Sequence, residues 1–164
     1  FKKQTTIANK LILKFLKIIN KKDIKSKKIN EDNSFYLPRL NTKINGWINW
    51  YSWNTVEILR FILAFGTPYN GASSMINNKR IYIKNARLVK KSTFHPFQNG
   101  LICKISNKTY DVITINGIIN LEIIFEKKTT KLINIGDRIY TPIKKLEDAF
   151  QSKPNYDSFG LIKK

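Results

Sequence analysis

Within residues 5–19, TTIANKLILKFLKII, Ile7, Leu11, Phe15 and Ile18 recur at helical spacing, and Ile12, Leu16 and Ile19 widen the stripe. The pattern predicts an amphipathic helix with Lys10, Lys14 and Lys17 on the opposite, solvated side. So broad an apolar stripe needs a body to pack against. Residues 20–34 are polar and aperiodic, which marks a loop or linker. SFYLPRLNTKINGWINW (34–50) reads as extended, with Pro38 holding Leu37 out of helical space. A second helix then announces itself. Asn54 with Glu57 makes a capping-box start, Ile58, Phe61, Ile62 and Phe65 make one apolar face, Gly66 suits the C-terminal cap and Pro68 prevents continuation.

From residue 72 the period shortens to two. ASSMI, RIYIKNARLV, GLICKIS, YDVITIN and IINLEIIF read as strands. Asn77-Asn78 and Asn116-Gly117 sit between strands as tight hairpin turns, the second carrying the type I′ signal. Short strands in succession without helices between them predict a small barrel or a curled antiparallel sheet. TPIKKLEDAF closes the pattern as a short helix, with Thr141 as its cap, Pro142 in its first turn and Ile143, Leu146 and Phe150 on one face. The fold class is α+β, and no internal repeat is visible.

Composition narrows the picture. At 164 residues the chain suits one domain with a helical extension, and such a chain buries roughly 68–70% of its unfolded surface without needing a staple. Cys103 is the only cysteine, which excludes an intramolecular disulfide and a thiolate cluster and fits a reducing, cytoplasmic setting. No apolar run approaches the ~18 residues of a membrane span. The chain starts at Phe1, so the missing signal peptide carries little weight.

Charge is the loudest signal: 30 Lys+Arg against 11 Asp+Glu, a net +19. Taken functionally, it means a polyanion or an acidic membrane surface. Yet the arginines are only Arg39, Arg60, Arg80, Arg87 and Arg138, and phosphate or guanine recognition prefers the guanidinium fork. Lys, Ile and Asn all have A/T-rich codons, so genome composition is an alternative source of the charge, and charge alone settles neither reading.

Conventional catalytic signatures are absent: no phosphate-cradling Gly-rich loop, no paired metal ligands, no nucleophile elbow. His95, the only histidine, reads as a loop residue packed among Phe94, Pro96 and Phe97 rather than a general base. Asp137 and Arg138 read as a turn-stabilising ion pair. Tyr36, Trp47, Trp50, Tyr51 and Trp53 have the chemistry to stack bases. Spacing of three, however, turns successive tryptophans to opposite faces of an extended strand, which favours burial over a common platform.

The ordered set YLPRLNTKINGWINW, EILRFILAFGTPYNGA and KRIYIKNA resembles the linker and the start of the C-terminal domain of the methionyl-tRNA formyltransferase family, which includes the N-formyltransferases of nucleotide-linked amino sugars. Pro38, Arg39, Leu40, Gly46, Ile48, Trp50, Ile62, Ala64, Phe65, Pro68, Tyr69, Gly71 and Ala72 match in order, with Trp47 and Trp53 beside them. Asn49 stands where Asp is usual, Leu63 where Arg is common and Asn70 where Pro is common.

The resemblance implies formyl transfer from 10-formyltetrahydrofolate to a primary amine, carried by an Asn-x-His pair and a later Asp in a preceding Rossmann-like domain. The Asn polarises the formyl oxygen, the His stabilises the tetrahedral intermediate and the Asp tunes the His. Thr93 stands at the Asn position relative to His95, which follows the linker motif, so none of the three carries over. The chain is then expected to bind no cofactor or metal and to be inactive alone. Residues 1–35 would be the last helix and exit loop of that catalytic domain, 36–69 the interdomain linker and helix, and 70–164 an OB-like barrel. The tryptophans would lie at the domain junction. The expected partner is the catalytic domain, with a homodimer left open and no membrane.

Of the acceptors, YLPRLNT, FHPFQNGLI and GDRIYTP look more like the sugar-acting branch. Initiator methionyl-tRNA is the alternative. A free-standing basic OB-like nucleic-acid-binding module is the rival of another class.

Overall fold

The computed structural model describes residues 2–19, 30, 35, 37, 40–107, 109–126 and 133–153, in two units, Phe1–Leu37 and Pro38–Lys164. Pro38, Arg39, Tyr36 and nearly all of the polar stretch 20–34 lie outside the described residues. In the first unit, α1 spans Lys2–Ile19, the helix expected from the 3.6-residue period. Its Ile7, Leu11, Phe15 and Ile18 are all exposed.

The second unit begins with α2 (Thr42–Asn45), a single turn inside a stretch expected to be extended. Asn41 starts it by accepting from the Lys43 backbone N–H, a local side-chain bond that favours a turn over a strand. Next comes α3 (Thr55–Ala64), whose Asn54 and Glu57 form the expected capping box in full. Ile58 and Ile62 face the core and are fully buried. Gly66 does not supply a left-handed cap: α3 ends on Phe65 at φ −92°.

The strands are β1 (Ala72–Ile76), β2 (Lys79–Lys91), β3 (Ile102–Ser106), β4 (Thr109–Thr114), β5 (Gly117–Phe125) and β6 (Ile139–Tyr140). They form one antiparallel sheet in the order β3-β4-β5-β2-β1-β6. The two ends of that order meet. Ile139 N–H donates to Gly100 O at 2.8 Å, Ile102 N–H to Asp137 O at 2.9 Å and Gly136 N–H to Ile102 O at 2.9 Å, curling the sheet into an OB-like barrel.

Two turn readings divide. Asn77 and Asn78 have φ of 49° and 61°, the left-handed pair a type I′ hairpin needs, and asparagine tolerates it. The other turn is corrected. Thr114 pairs with Gly117, so the turn consists of Ile115 and Asn116, neither left-handed, and Gly117 is already the first residue of β5.

The core lies between α3 and the barrel's inner face: Ile48, Ile81, Ile83, Val112, Ile119 and Leu121 are fully buried. Each large aliphatic side chain contributes ~1.5–3 kcal/mol relative to exposure. The short helix α4 (Ile143–Gln151) carries the second correction. Pro142, not Thr141, is its N-cap, and Thr141 instead donates its buried hydroxyl to Ile48 O at 2.6 Å. The face built by Ile143 and Phe150 remains exposed. The helix is held through its end: Asn45 Nδ2 donates to Ala149 O at 3.0 Å and to Ser152 Oγ at 2.8 Å, clasping α2 to α4.

Candidate functional site

The family-like motif is the backbone strip 41–53 along β1. Gly46 O accepts from Ser73 N–H at 2.7 Å and Ile48 N–H donates to Ser73 O at 3.1 Å, pairing Trp47 in parallel with Ser73. Glycine is required at 46, because a Cβ would fall 2.3 Å from Thr42 O. This pairing fixes where each indole goes. Trp47 lies with Ser73, Arg80 and Tyr82 on the outer face, while Trp50 turns inward and donates Nε1–H to Ser74 Oγ at 2.7 Å. Trp53 packs on Phe61 with ring centroids 4.7 Å apart.

The three tryptophans therefore share no platform, as expected, though not by alternation along a strand: residues 50–52 form a turn, and Trp53 like Trp50 packs on the core. Trp47 and Trp50 are 6% and 2% exposed, covered by this unit's own elements. The burial expected from their spacing is thus supplied within this unit.

Asn49 is nearly buried and organises the turn after it. Its Oδ1 accepts from the N–H of Tyr51 at 3.1 Å and of Ser52 at 3.2 Å, and its Nδ2 donates to Ser52 Oγ at 2.7 Å. An aspartate would make the same two backbone bonds and accept from the serine hydroxyl. Asn at this position therefore preserves the turn and drops the charge. Leu63 and Tyr69 are exposed, Ala64 is exposed at the end of α3, and Phe65 and Ala72 are core residues. Leu40 is exposed ahead of α2, and Thr67-Pro68 is cis.

On the outer face, Arg80 packs against two rings: its Cζ is 4.6 Å from the Trp47 ring centre and 5.0 Å from that of Tyr82. Its Nη2 donates to Ser73 Oγ at 2.9 Å, and its Nη1 faces Glu126 at 3.7 Å. Tyr82 donates its hydroxyl to the same Glu126 carboxylate at 2.9 Å. Burial pushes the Tyr82 hydroxyl's pKa up and the bond to Glu126 adds to this, with Arg80 opposing. The Lys145 ammonium lies 6.0 Å from the other partner of this layer, the Trp47 ring.

Sequence reasoning missed this cluster. Arg80 and Tyr82 are two residues apart on a strand, hence on one face, but nothing in the sequence places Trp47 over them.

Two further expectations are revised. Asp137 and Arg138 are not a pair. Asp137 accepts from Asn134 N–H at 3.0 Å and Asn77 Nδ2 at 2.9 Å, while Arg138 donates to Asn99 O at 2.5 Å and Phe97 O at 2.6 Å. Asn99 in turn donates to Trp50 O, so the FHPFQNG loop, the GDR turn and the tryptophan strip are tied together. His95 caps the short 3-10 helix Pro96–Gln98, its Nδ1 accepting from Phe97 N–H at 3.3 Å, a structural use of the only histidine. Among the described residues, no three His, Cys, Asp or Glu side chains gather as metal ligands, and no helix is long and apolar enough to cross a membrane.

An OB-like barrel entered by an aromatic strip that pairs along its first strand is the class of domain this geometry defines. The model of the family described as "Formyl transferase, C-terminal domain" matches residues 41–135, more than half of the chain, and the chain belongs to that family. Among solved structures it is similar to HypX from Aquifex aeolicus. A multiply substituted variant of HypX superposes with a TM-score of 0.56 at 18% identity, covering 71% of this chain. Another variant gives 0.57 at 19% identity, and HypX in complex with tetrahydrofolic acid gives 0.56 at 19%, each over 71% of this chain. This likeness concerns the fold, and the chain spans only about 20% of the length of HypX. No curated protein matches the chain.

Proposed function

We propose that the chain is the C-terminal portion of an enzyme that moves a formyl group from 10-formyltetrahydrofolate to a primary amine. The observation that carries this reading is the family match across 41–135, with the ordered motif laid along β1. That a solved relative of the same fold is described in complex with tetrahydrofolic acid supports a folate co-substrate for the parent enzyme. Chemistry belongs to a preceding domain: the amine attacks the formyl carbon, and the tetrahedral intermediate collapses to release the folate nitrogen. An Asn-x-His pair and an Asp would supply that domain's polarising and proton-handling groups. This chain contributes the barrel and the exposed α1 stripe, which that domain would cover.

The favoured acceptor is the amine of a nucleotide-linked sugar in a cytoplasmic setting, on the likeness of YLPRLNT, FHPFQNGLI and GDRIYTP to the sugar-acting branch. The test is to read the coding sequence ahead of Phe1 and assay whatever complete frame it gives. The reading expects a frame of about a further domain, ~150–200 residues, with Asn-x-His and a later Asp. Its product should formylate an amino-sugar nucleotide and leave methionyl-tRNA unmodified, while the 164-residue chain alone turns over neither. Formylation of methionyl-tRNA instead would move the acceptor to tRNA, and a frame lacking those residues would end the formyl-transfer reading.

A further inference from the structure

We propose that the outer face of the barrel holds a small phosphate-bearing ligand, about two phosphates long, in the groove that Lys43 divides. The proposal rests on this groove alone and stands whether or not the formyl-transfer reading does.

Two clefts meet at Lys43. One, about 250 Å³, is walled by Thr42, Asn70, Arg80, Tyr82 and Glu126. The other, about 400 Å³, is walled by Ile44, Trp47, Lys145 and Gln151. Three cationic residues therefore line the two adjoining clefts: Lys43, Arg80 and Lys145.

Arg80 is the element that looks built for an anion. The rings of Trp47 and Tyr82 both pack against its guanidinium, with centres 4.6 and 5.0 Å from Cζ, which restricts its orientation. A guanidinium has five N–H donors, yet among the described residues this one makes a single hydrogen bond, to Ser73. Nε is buried beyond a ligand's reach, but Nη1 approaches Glu126 only to 3.7 Å, beyond hydrogen-bond reach, so the unused donors a ligand could meet are on the Nη atoms. Under-satisfied donors on a preorganised, part-exposed arginine match the oxygens of a phosphate. The lysines are positioned as well. The Asn45 bonds to Ala149 and Ser152 fasten α2, which carries Lys43, to α4, which carries Lys145.

Size and charge favour a short ligand over a nucleic acid. Glu126 and Asp148 line the two clefts, so a long phosphodiester chain would run past both carboxylates, which disfavours it against a short ligand.

Titrating the full chain with inorganic pyrophosphate, UDP and an RNA hairpin, followed by calorimetry and tryptophan fluorescence, tests this. Saturable binding of pyrophosphate is expected, with UDP equal or tighter; equality assigns recognition to the phosphates and tighter UDP adds the nucleoside. Lys43→Gln with Lys145→Gln, both exposed and outside the core, should weaken binding by roughly tenfold or more while leaving thermal unfolding in place. Arg80→Lys, which keeps charge but loses the fork, should weaken it as well. No saturable binding of either diphosphate, unchanged affinity in the double-lysine variant, or RNA binding tighter than pyrophosphate with a steep salt dependence would each overturn the proposal.

Discussion

Thr141 offers the sharpest test of how this domain is held together. Its side chain is fully buried, its hydroxyl donates to Ile48 O at 2.6 Å, and it lies 3.5 Å from Ser74 Oγ. Thr141→Val keeps the volume, opens no cavity and leaves the Ile48 carbonyl without its hydrogen. Stranding a buried acceptor costs ~1–3 kcal/mol. At about 2–4 °C per kcal/mol for a chain of this size, the melting temperature should fall by roughly 2–12 °C. Thr141→Ser keeps the hydroxyl and loses one methyl, ~0.8 kcal/mol. Thr141→Asn separates burial from capping. As a helix cap, Asn is among the best residues; in a filled, dry site it is too large and cannot pair all its polar atoms. Urea and thermal melts should rank the variants wild type, Ser, Val, Asn. An Asn variant as stable as wild type, or a Val variant within about 0.5 kcal/mol of it, would refute the burial argument and restore Thr141 as a cap.

Three further outcomes follow from the same structure. Gly100→Ala should cost about 2–5 kcal/mol of stability, read as a lowered urea midpoint, because Gly100 has φ +83° and a Cβ there would fall 2.2 Å from Ile139 O at the barrel seam. Tyr82 favours its protonated form in the fold, so its contribution is present below tyrosine's ordinary range and is lost as pH rises through its raised value. Tyr82→Phe should flatten that part of the decline in stability above about pH 10, seen in melts across the alkaline range. Burial, then repulsion from Asp111, pushes the Cys103 thiol up. Alkylation should therefore be slow near neutrality despite the residue's exposure, and Asp111→Asn should accelerate it in a pH-rate profile.

Local signals in the sequence survived where local physics decides. The Asn54–Glu57 capping box, the apolar pair Ile58 and Ile62, the alternating strands and the Asn77-Asn78 turn each depend on neighbours within four residues. Readings failed where distant parts compete for the same group. Thr141 looked like a cap until Ile48 O took its hydroxyl, and Asp137 and Arg138 looked like a pair until Asn77 and Asn99 took one each. The type I′ motif at Asn116-Gly117 was displaced by one position because the β4–β5 register sets the turn. That the tryptophans share no platform was legible; the identity of what covers Trp47 was not, since Arg80 reaches it through the β1–β2 register. The family motif marked the strip along β1, yet Lys43, Arg80 and Lys145 meet only through the clasp between α2 and α4.

A domain that caps its own indoles is easy to transplant. With Trp47 beneath Arg80 and Trp50 bonded to Ser74, a change of neighbour uncovers little of the aromatic interior. Such a cassette is expected to fold when spliced to an unrelated chain, which the thermal melt of a fusion would check.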